Sequence, residues 1–250
     1  MQKLKSASLV LALALVASCN AAATRPSSTA IRVGTYNIRL SAGDKGTANA
    51  WSLRRDAIAD RLKGLDLDVF GLQEVLPDQA AFLRERLPEY AYVGDHRGAD
   101  RKSDEASPVC YRKDRFEELK GGTFWLSETP DVPGVKGWGA ACPRVCSYLV
   151  LRDRRSGRTF CFANTHTDHK SELAREQGML LVLRRMEEFG RGCPVVFTGD
   201  HNCRETEAPA VAVSAILTNA LYAAGSTPEG PGAPSRGGNG ATRRSPPPRR

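Results

Sequence analysis

Asp200 and Asn202 lie near the end of the stretch Pro194 to Cys203, PVVFTGDHNC, where a carboxylate and an amide stand two residues apart behind a short apolar run. Val195, Val196 and Phe197 are β-rich and uncharged, so the run reads as a buried strand that delivers both polar side chains to its carboxyl end. In an extended chain residues two apart point the same way. The carboxyl ends of strands are also where open α/β sheets place ligands. A carboxylate beside an amide suits a hydrated hard cation and a phosphate, although Asp and Asn after a strand also form turns. Three other segments carry polar groups in equivalent places. Asn37 closes the alternating run Ile31 to Ile38, Glu74 follows Gln73 in DVFGLQEV at 68–75, and His166 stands in NTHTDH at 164–169. Each alone has an ordinary structural explanation, but a sheet brings such ends together.

The elements needed to hold those ends are visible in the pattern. Trp51, Ile58, Leu62 and Leu65 fall on one helical face. Pro77 to Leu87 predicts a short helix with Phe82, Leu83 and Leu87 inward. Strands are expected at Tyr90 to Val93, Val109 to Tyr111 and Phe116 to Leu119, and solvated loops at 41–49, 96–107 and 130–141. Val145 to Arg152 and Arg158 to Asn164 flank an Arg-Ser-Gly turn and predict an antiparallel hairpin. Glu172 to Phe189 is strongly amphipathic, and Ala208 to Tyr222 is weakly helical. From Ser226 to Arg250 the chain is Pro, Gly, Ser and Arg with almost no large apolar residue, a composition expected to be disordered.

With 250 residues and 41% hydrophobic content, the chain can bury the core of one large α/β domain. The formal charge of +8 points at first to a polyanion partner. Lys3, Lys5 and the five arginines from Arg236 onward supply most of it, which leaves the central domain at about +1 by ordinary side-chain charges. Attraction to nucleic acid would therefore come from the ends. Met1 to Cys19 runs from Lys3 and Lys5 through the apolar Leu9 to Ala17 to Ser18-Cys19, the order of an export signal rather than a membrane span. Val16-Ala17-Ser18-Cys19 resembles a bacterial lipobox. That likeness implies lipidation of Cys19, a membrane-anchored protein in the periplasm or at the cell surface, and a tether over 20–30. A cleaved signal with an incidental Cys is the alternative. The seven cysteines suit an exported protein, and sequence leaves their pairing open. Cys110 and Cys161 also suit small buried apolar positions. Cys142 and Cys146 lack a second ligand pair nearby, which disfavours zinc.

TYNIR at 35–39, QEV at 73–75, NTHTDH at 164–169 and TGDHN at 198–202 together resemble, in order, the endonuclease/exonuclease/phosphatase superfamily. The likeness runs from about Ile31 to Tyr222. It implies a four-layer α/β sandwich, two mixed sheets face to face with helices outside, and metal-dependent phosphoester hydrolysis. By that likeness Glu74 holds Mg²⁺ (Mn²⁺ being the other candidate) with Asn37 beside it. Asp200 orients or deprotonates the attacking water, Asn202 binds phosphate, and His166 bonds a non-bridging oxygen or protonates the leaving group. Arg144 and Asp168 are further candidates for substrate contact, Arg144 as a fork donor to phosphate or simply as a surface arginine. Mg²⁺ takes one or two carboxylates and keeps its waters, which fits this set.

The sequence departs from the family pattern twice. His201 stands where Phe is commonest. After Asp200 there is no further Asp, and after His201 no further His, whereas the family continues with an Asp-bearing strand and a terminal Ser-Asp-His. The expectation is a domain over 31–225 that lacks its last strands, an altered gene end such as a shifted reading frame over 226–250, and weakened activity. A monomer acting on a small phosphodiester, a lipid headgroup or a nucleic acid is expected. Its rivals are a nuclease proper, with the basic tail available to hold nucleic acid, and a non-catalytic surface lipoprotein that uses the sandwich as a scaffold.

Overall fold

Alternating strands and helices build two four-stranded mixed sheets. The first has the order β1-β2-β4-β3 and the second β5-β6-β7-β8, with β1 (Val33–Asn37), β2 (Val69–Gln73), β3 (Tyr90–Val93), β4 (Val109–Arg112), β5 (Phe116–Trp125), β6 (Val145–Asp153), β7 (Thr159–His166) and β8 (Val195–Asp200). The computed structural model describes residues 29–223, apart from the side chains of Leu221 and Tyr222. The expected export signal with Cys19, most of the tether and the tail over 226–250 lie outside the described residues.

Helix α1 (Trp51–Leu65) connects the parallel pair β1 and β2, and α3 (Glu172–Gly190) connects the parallel pair β7 and β8. α2 (Pro77–Arg86) follows β2, and the short α4 (Ala208–Ser214) and α5 (Ala220–Ala223) follow β8. Trp51, Ile58 and Leu62 of α1 pack with Phe70, Leu72 and Cys110 on the outer face of the first sheet. Leu181, Val182 and Met186 of α3 pack with Tyr148, Cys161 and Ala163 on the outer face of the second. Val69, Val109 and Tyr111 meet Leu149, Leu151, Phe160 and Phe162 between the sheets. Three apolar interfaces stacked in this way make a four-layer α/β sandwich, as the sequence implies. Cys110 and Cys161 are buried in these clusters.

Most expected elements lie where the periodicity puts them. β5 continues to Trp125 rather than stopping near Leu119, because its register shifts between Glu118 and Lys120 and the adjacent Gly121 and Gly122 hide the alternation. The weakly helical 208–222 is split into α4 and α5.

Polar groups tie the two sheets at both ends of the inner layer. At the end far from the candidate residues, buried Arg115 reaches Asp68 ahead of β2 at 2.7 Å and Asp153 at the end of β6 at 3.3 Å. At the near end, Asn164 of β7 is fully buried and crosses to the first sheet. Its Nδ2 donates to the carbonyls of Leu72 and Pro108, and its Oδ1 accepts from Gln73 Nε2 at 2.7 Å. Gly71 faces it, and any side chain there would collide with the amide.

At the end of β8, His201 rests its ring on Phe197 with centroids 4.8 Å apart, and its Nε2 is buried without a hydrogen-bond partner. Burial pushes this imidazole down to about 4, the nearby Asp200 carboxylate offsetting only part of the effect. The folded protein therefore binds fewer protons here than the unfolded chain. The associated stability is complete above the ordinary value of 6.5 and is lost as pH falls towards 4.

Two stability measurements follow from these contacts. Asn164→Leu strands two carbonyls and the Gln73 amide, and urea unfolding should show a loss of about 3 kcal/mol or more. A loss under about 1 kcal/mol would mean the amide is not the tie described. Between pH 6.5 and 5 the unfolding free energy of the unaltered protein should fall by about 2 kcal/mol. His201→Phe should remove most of that slope, and an unchanged slope would refute the assignment to His201.

Candidate active site

Asn37 is the last residue of β1, paired in register with Gln73, so its side chain emerges beside Glu74. Its amide nitrogen donates to Glu74 Oε1 at 2.8 Å and to Asp200 Oδ2 at 2.9 Å. Two carboxylates from opposite sheets thus converge on one nitrogen. Glu74 is nearly buried, and its Oε2 accepts from the Leu40 amide at 3.0 Å. Its φ of 61° is a left-handed conformation that a glutamate adopts only under constraint. Gln79 of α2, fully buried, fixes the overlying loop by accepting from the amides of Ser41 and Leu76 and donating to the Arg39 carbonyl. The two carboxylates facing this point are hard oxygen ligands and fit a divalent cation such as Mg²⁺, whereas the Asn37 oxygen turns away to accept from the Arg39 amide at 2.9 Å. Glu74 and Asp200 are the residues able to hold one, with the Asn37 amide bridging them.

His166 closes β7, with Nε2 3.9 Å from Asp200 Oδ2 and Nδ1 3.7 Å from Glu105 Oε2. Nδ1 is buried and makes no hydrogen bond at that distance. Glu105 is in turn gripped by Arg97, whose Nη1 and Nη2 lie 3.1 Å from its two oxygens. Burial alone would raise the Glu105 carboxyl, but the His166 ring and the Arg97 guanidinium outweigh it and hold the group below its usual range. It is therefore an ionised group lying behind the imidazole. Sequence reasoning missed Glu105 and Arg97. They lie in 96–107, whose mixed charges read as a solvated loop. Only the antiparallel bridges of Ala106 to Val75 and to His96 show that this loop is folded against the first sheet.

Asn202 is also near, though not for the reason its spacing suggests. β8 ends at Asp200, and Asn202 has a φ of 47°, so the two side chains are not successive residues on one face of a strand. The Asn202 amide hydrogen reaches back to Asp200 Oδ1 at 3.2 Å, and its Nδ2 donates to the Thr167 carbonyl at 3.0 Å. A turn, not the pleat, holds it beside the site. Gly199 serves the same bend: its φ is 156°, and a side chain there would strike the Thr165 carbonyl.

Asp168 does not present itself to a substrate. It is 1% exposed, and its oxygens accept from the amides of Ala141, Lys170 and Ser171. Its work is to shape the loop that begins α3, where the Ser171 hydroxyl caps the Ala174 amide. Arg144 is buried rather than at the surface; its Nε lies 3.5 Å from Asp168 Oδ2 and its Nη2 donates to His169 Nδ1 at 2.9 Å. Ligand atoms of Cys142, Asp168 and His169 lie within 4.8 Å of one another. They make a poor cation site, because a guanidinium already occupies His169 Nδ1 and backbone amides occupy Asp168.

Known proteins resemble this chain in sequence and fold. A mannosyl-6-phosphatase of Bacteroides thetaiotaomicron has a solved structure that matches with a TM-score of 0.71 at 38% identity, over 74% of this chain and 70% of that one. An uncharacterized protein of Acanthamoeba polyphaga mimivirus is 26% identical over 160 residues, 61% of this chain and 59% of its own length. Human tyrosyl-DNA phosphodiesterase 2 is 25% identical over 161 residues, 64% of this chain and 40% of its own. The chain thus spans well under two thirds of these two curated relatives. The family match itself covers residues 34–250, and the chain belongs to the Endonuclease/Exonuclease/phosphatase family.

Proposed function

We propose that the protein hydrolyses phosphate esters by attack of water at a centre formed by Asn37, Glu74, His166, Asp200 and Asn202, with Mg²⁺ or Mn²⁺ as the cation. The observation that carries this reading is the Asn37 amide shared by Glu74 and Asp200, with His166 3.9 Å from the same Asp200 oxygen. A base, an acid and a place for a hard cation thereby stand within one cluster. Two of the relatives, a phosphatase and a phosphodiesterase, support the reaction class.

In this scheme Glu74 would hold the cation, with Asn37 beside it, and the cation would supply charge stabilisation on the phosphoryl oxygens. Asp200 takes a proton from the attacking water, for which its ionised oxygen is positioned by Asn37. His166 donates to the leaving oxygen or to a phosphoryl oxygen, with the Glu105 carboxylate behind its ring at 3.7 Å. Asn202 offers its amide from the turn after β8. The near-neutral central domain supports a small ester over a long polyanion.

Purified protein should hydrolyse bis-p-nitrophenyl phosphate or p-nitrophenyl phosphate with Mg²⁺, lose that activity in EDTA and regain it when Mg²⁺ is restored. Asp200→Ala should lower kcat by roughly 10²- to 10⁴-fold. Hydrolysis that survives both treatments would show that this centre is not responsible for it.

A further inference from the structure

Arg144 is the buried cation that this scheme leaves unused. Its side chain is 5% exposed, and a guanidinium removed from water needs acceptors for its donors. One donor, Nη2, is taken by His169 Nδ1, while Nε is buried without a hydrogen bond. Among the described residues no acceptor takes Nη1. Asp168 compensates the charge only in part, because three backbone amides already share its oxygens. His169 accepts at Nδ1, so in its neutral form the ring hydrogen sits on Nε2. Burial, and then the adjacent Arg144, keep its pKa below the ordinary value and so favour that form. His169 is exposed, and nothing among the described residues takes its Nε2 hydrogen.

This pair adjoins the reactive cluster. His169 lies three residues after His166 and two after Thr167, whose carbonyl holds Asn202. The charge of Arg144 is felt at Glu105, the partner of His166. The pair therefore lies on the His166 side of the cluster, whereas Glu74 lies on the other side of Asp200.

We infer that the Arg144 guanidinium, with the exposed His169 at its edge, forms an anion subsite that holds a second phosphate group of the substrate, so that the preferred esters are bisphosphates. The catalytic part of this statement rests on the hydrolase reading above; the anion subsite itself does not.

The test uses the full chain treated with EDTA, so that no cation contributes. Inorganic phosphate is titrated in while the His169 ring signals are followed by NMR and binding is measured by calorimetry. The His169 signals should shift saturably, and affinity should fall about tenfold or more in both Arg144→Gln and His169→Gln. Arg144→Lys should recover only part of the loss, and acetate should bind more weakly than phosphate. Should Arg144→Gln fail to fold, the exposed His169→Gln makes the same test. With Mg²⁺ present, a hexose bisphosphate should exceed the matching monophosphate in kcat/KM by about tenfold, and His169→Gln should abolish that preference. No shift of His169, or unchanged phosphate affinity in His169→Gln, overturns the subsite even if both esters are hydrolysed. If neither ester is hydrolysed while phosphate still titrates His169, the subsite stands and the hydrolase reading falls.

Discussion

Asn164 uses its whole hydrogen-bonding capacity inside the protein. Both amide hydrogens go to carbonyls of the first sheet's segments, Leu72 and Pro108, and the oxygen accepts from Gln73 Nε2 and from Thr198 Oγ1 at 3.1 Å. Gln73 passes the connection to Thr35 Oγ1 at 2.9 Å. Each residue of this network stands one or two places before a residue of the candidate site: Thr35 before Asn37, Gln73 before Glu74, Asn164 before His166 and Thr198 before Asp200. The strand ends cannot be displaced singly, because a shift in any of them breaks a buried bond that water cannot replace. Apolar packing alone would press the sheets together without setting their offset to a fraction of an ångström. The network is what converts two sheets into one rigid edge.

Rigidity lets the edge hold groups in arrangements they would not adopt freely. Glu74 sits at positive φ beside a second carboxylate, and His201 is kept neutral next to Asp200. Those are costs of roughly 1–3 kcal/mol for such a backbone conformation, borne by the ties behind them. The Arg115 cluster at the opposite end has the complementary role. It neutralises Asp68 and Asp153 where no chemistry is expected, and so fixes the far end of the inner layer.

Most of this was legible in the residues. Strand-ending Asn37, Glu74, His166 and Asp200 follow apolar runs whose β character is unambiguous, and a sheet has few ways to arrange their ends. What the sequence obscured was non-periodic or long-range. Glu105 and Arg97 carry no periodic signal, and their place beside His166 depends on a loop folding across from the other sheet. Asn202 was found through a spacing rule that does not apply after the strand has ended. Arg144 and Asp168 stand in short segments where burial depends on the Ala141 and Ser171 loops closing over them. That closure is a tertiary event with no local mark.

The charges around the cluster divide into two sides, and the division bears on how an anionic ester would enter. Glu74 and Asp200 converge on one amide and repel a phosphate until a cation lies between them. Arg97 and Arg144 lie beyond His166, on the Glu105 side, where no cation is required. An ester with one phosphate therefore depends wholly on the cation to overcome the carboxylates. An ester with two can be held first at the guanidinium side and then presented to the metal side as an intramolecular event, which raises its effective concentration there. His166, between the two halves, is placed to serve the bond that joins them.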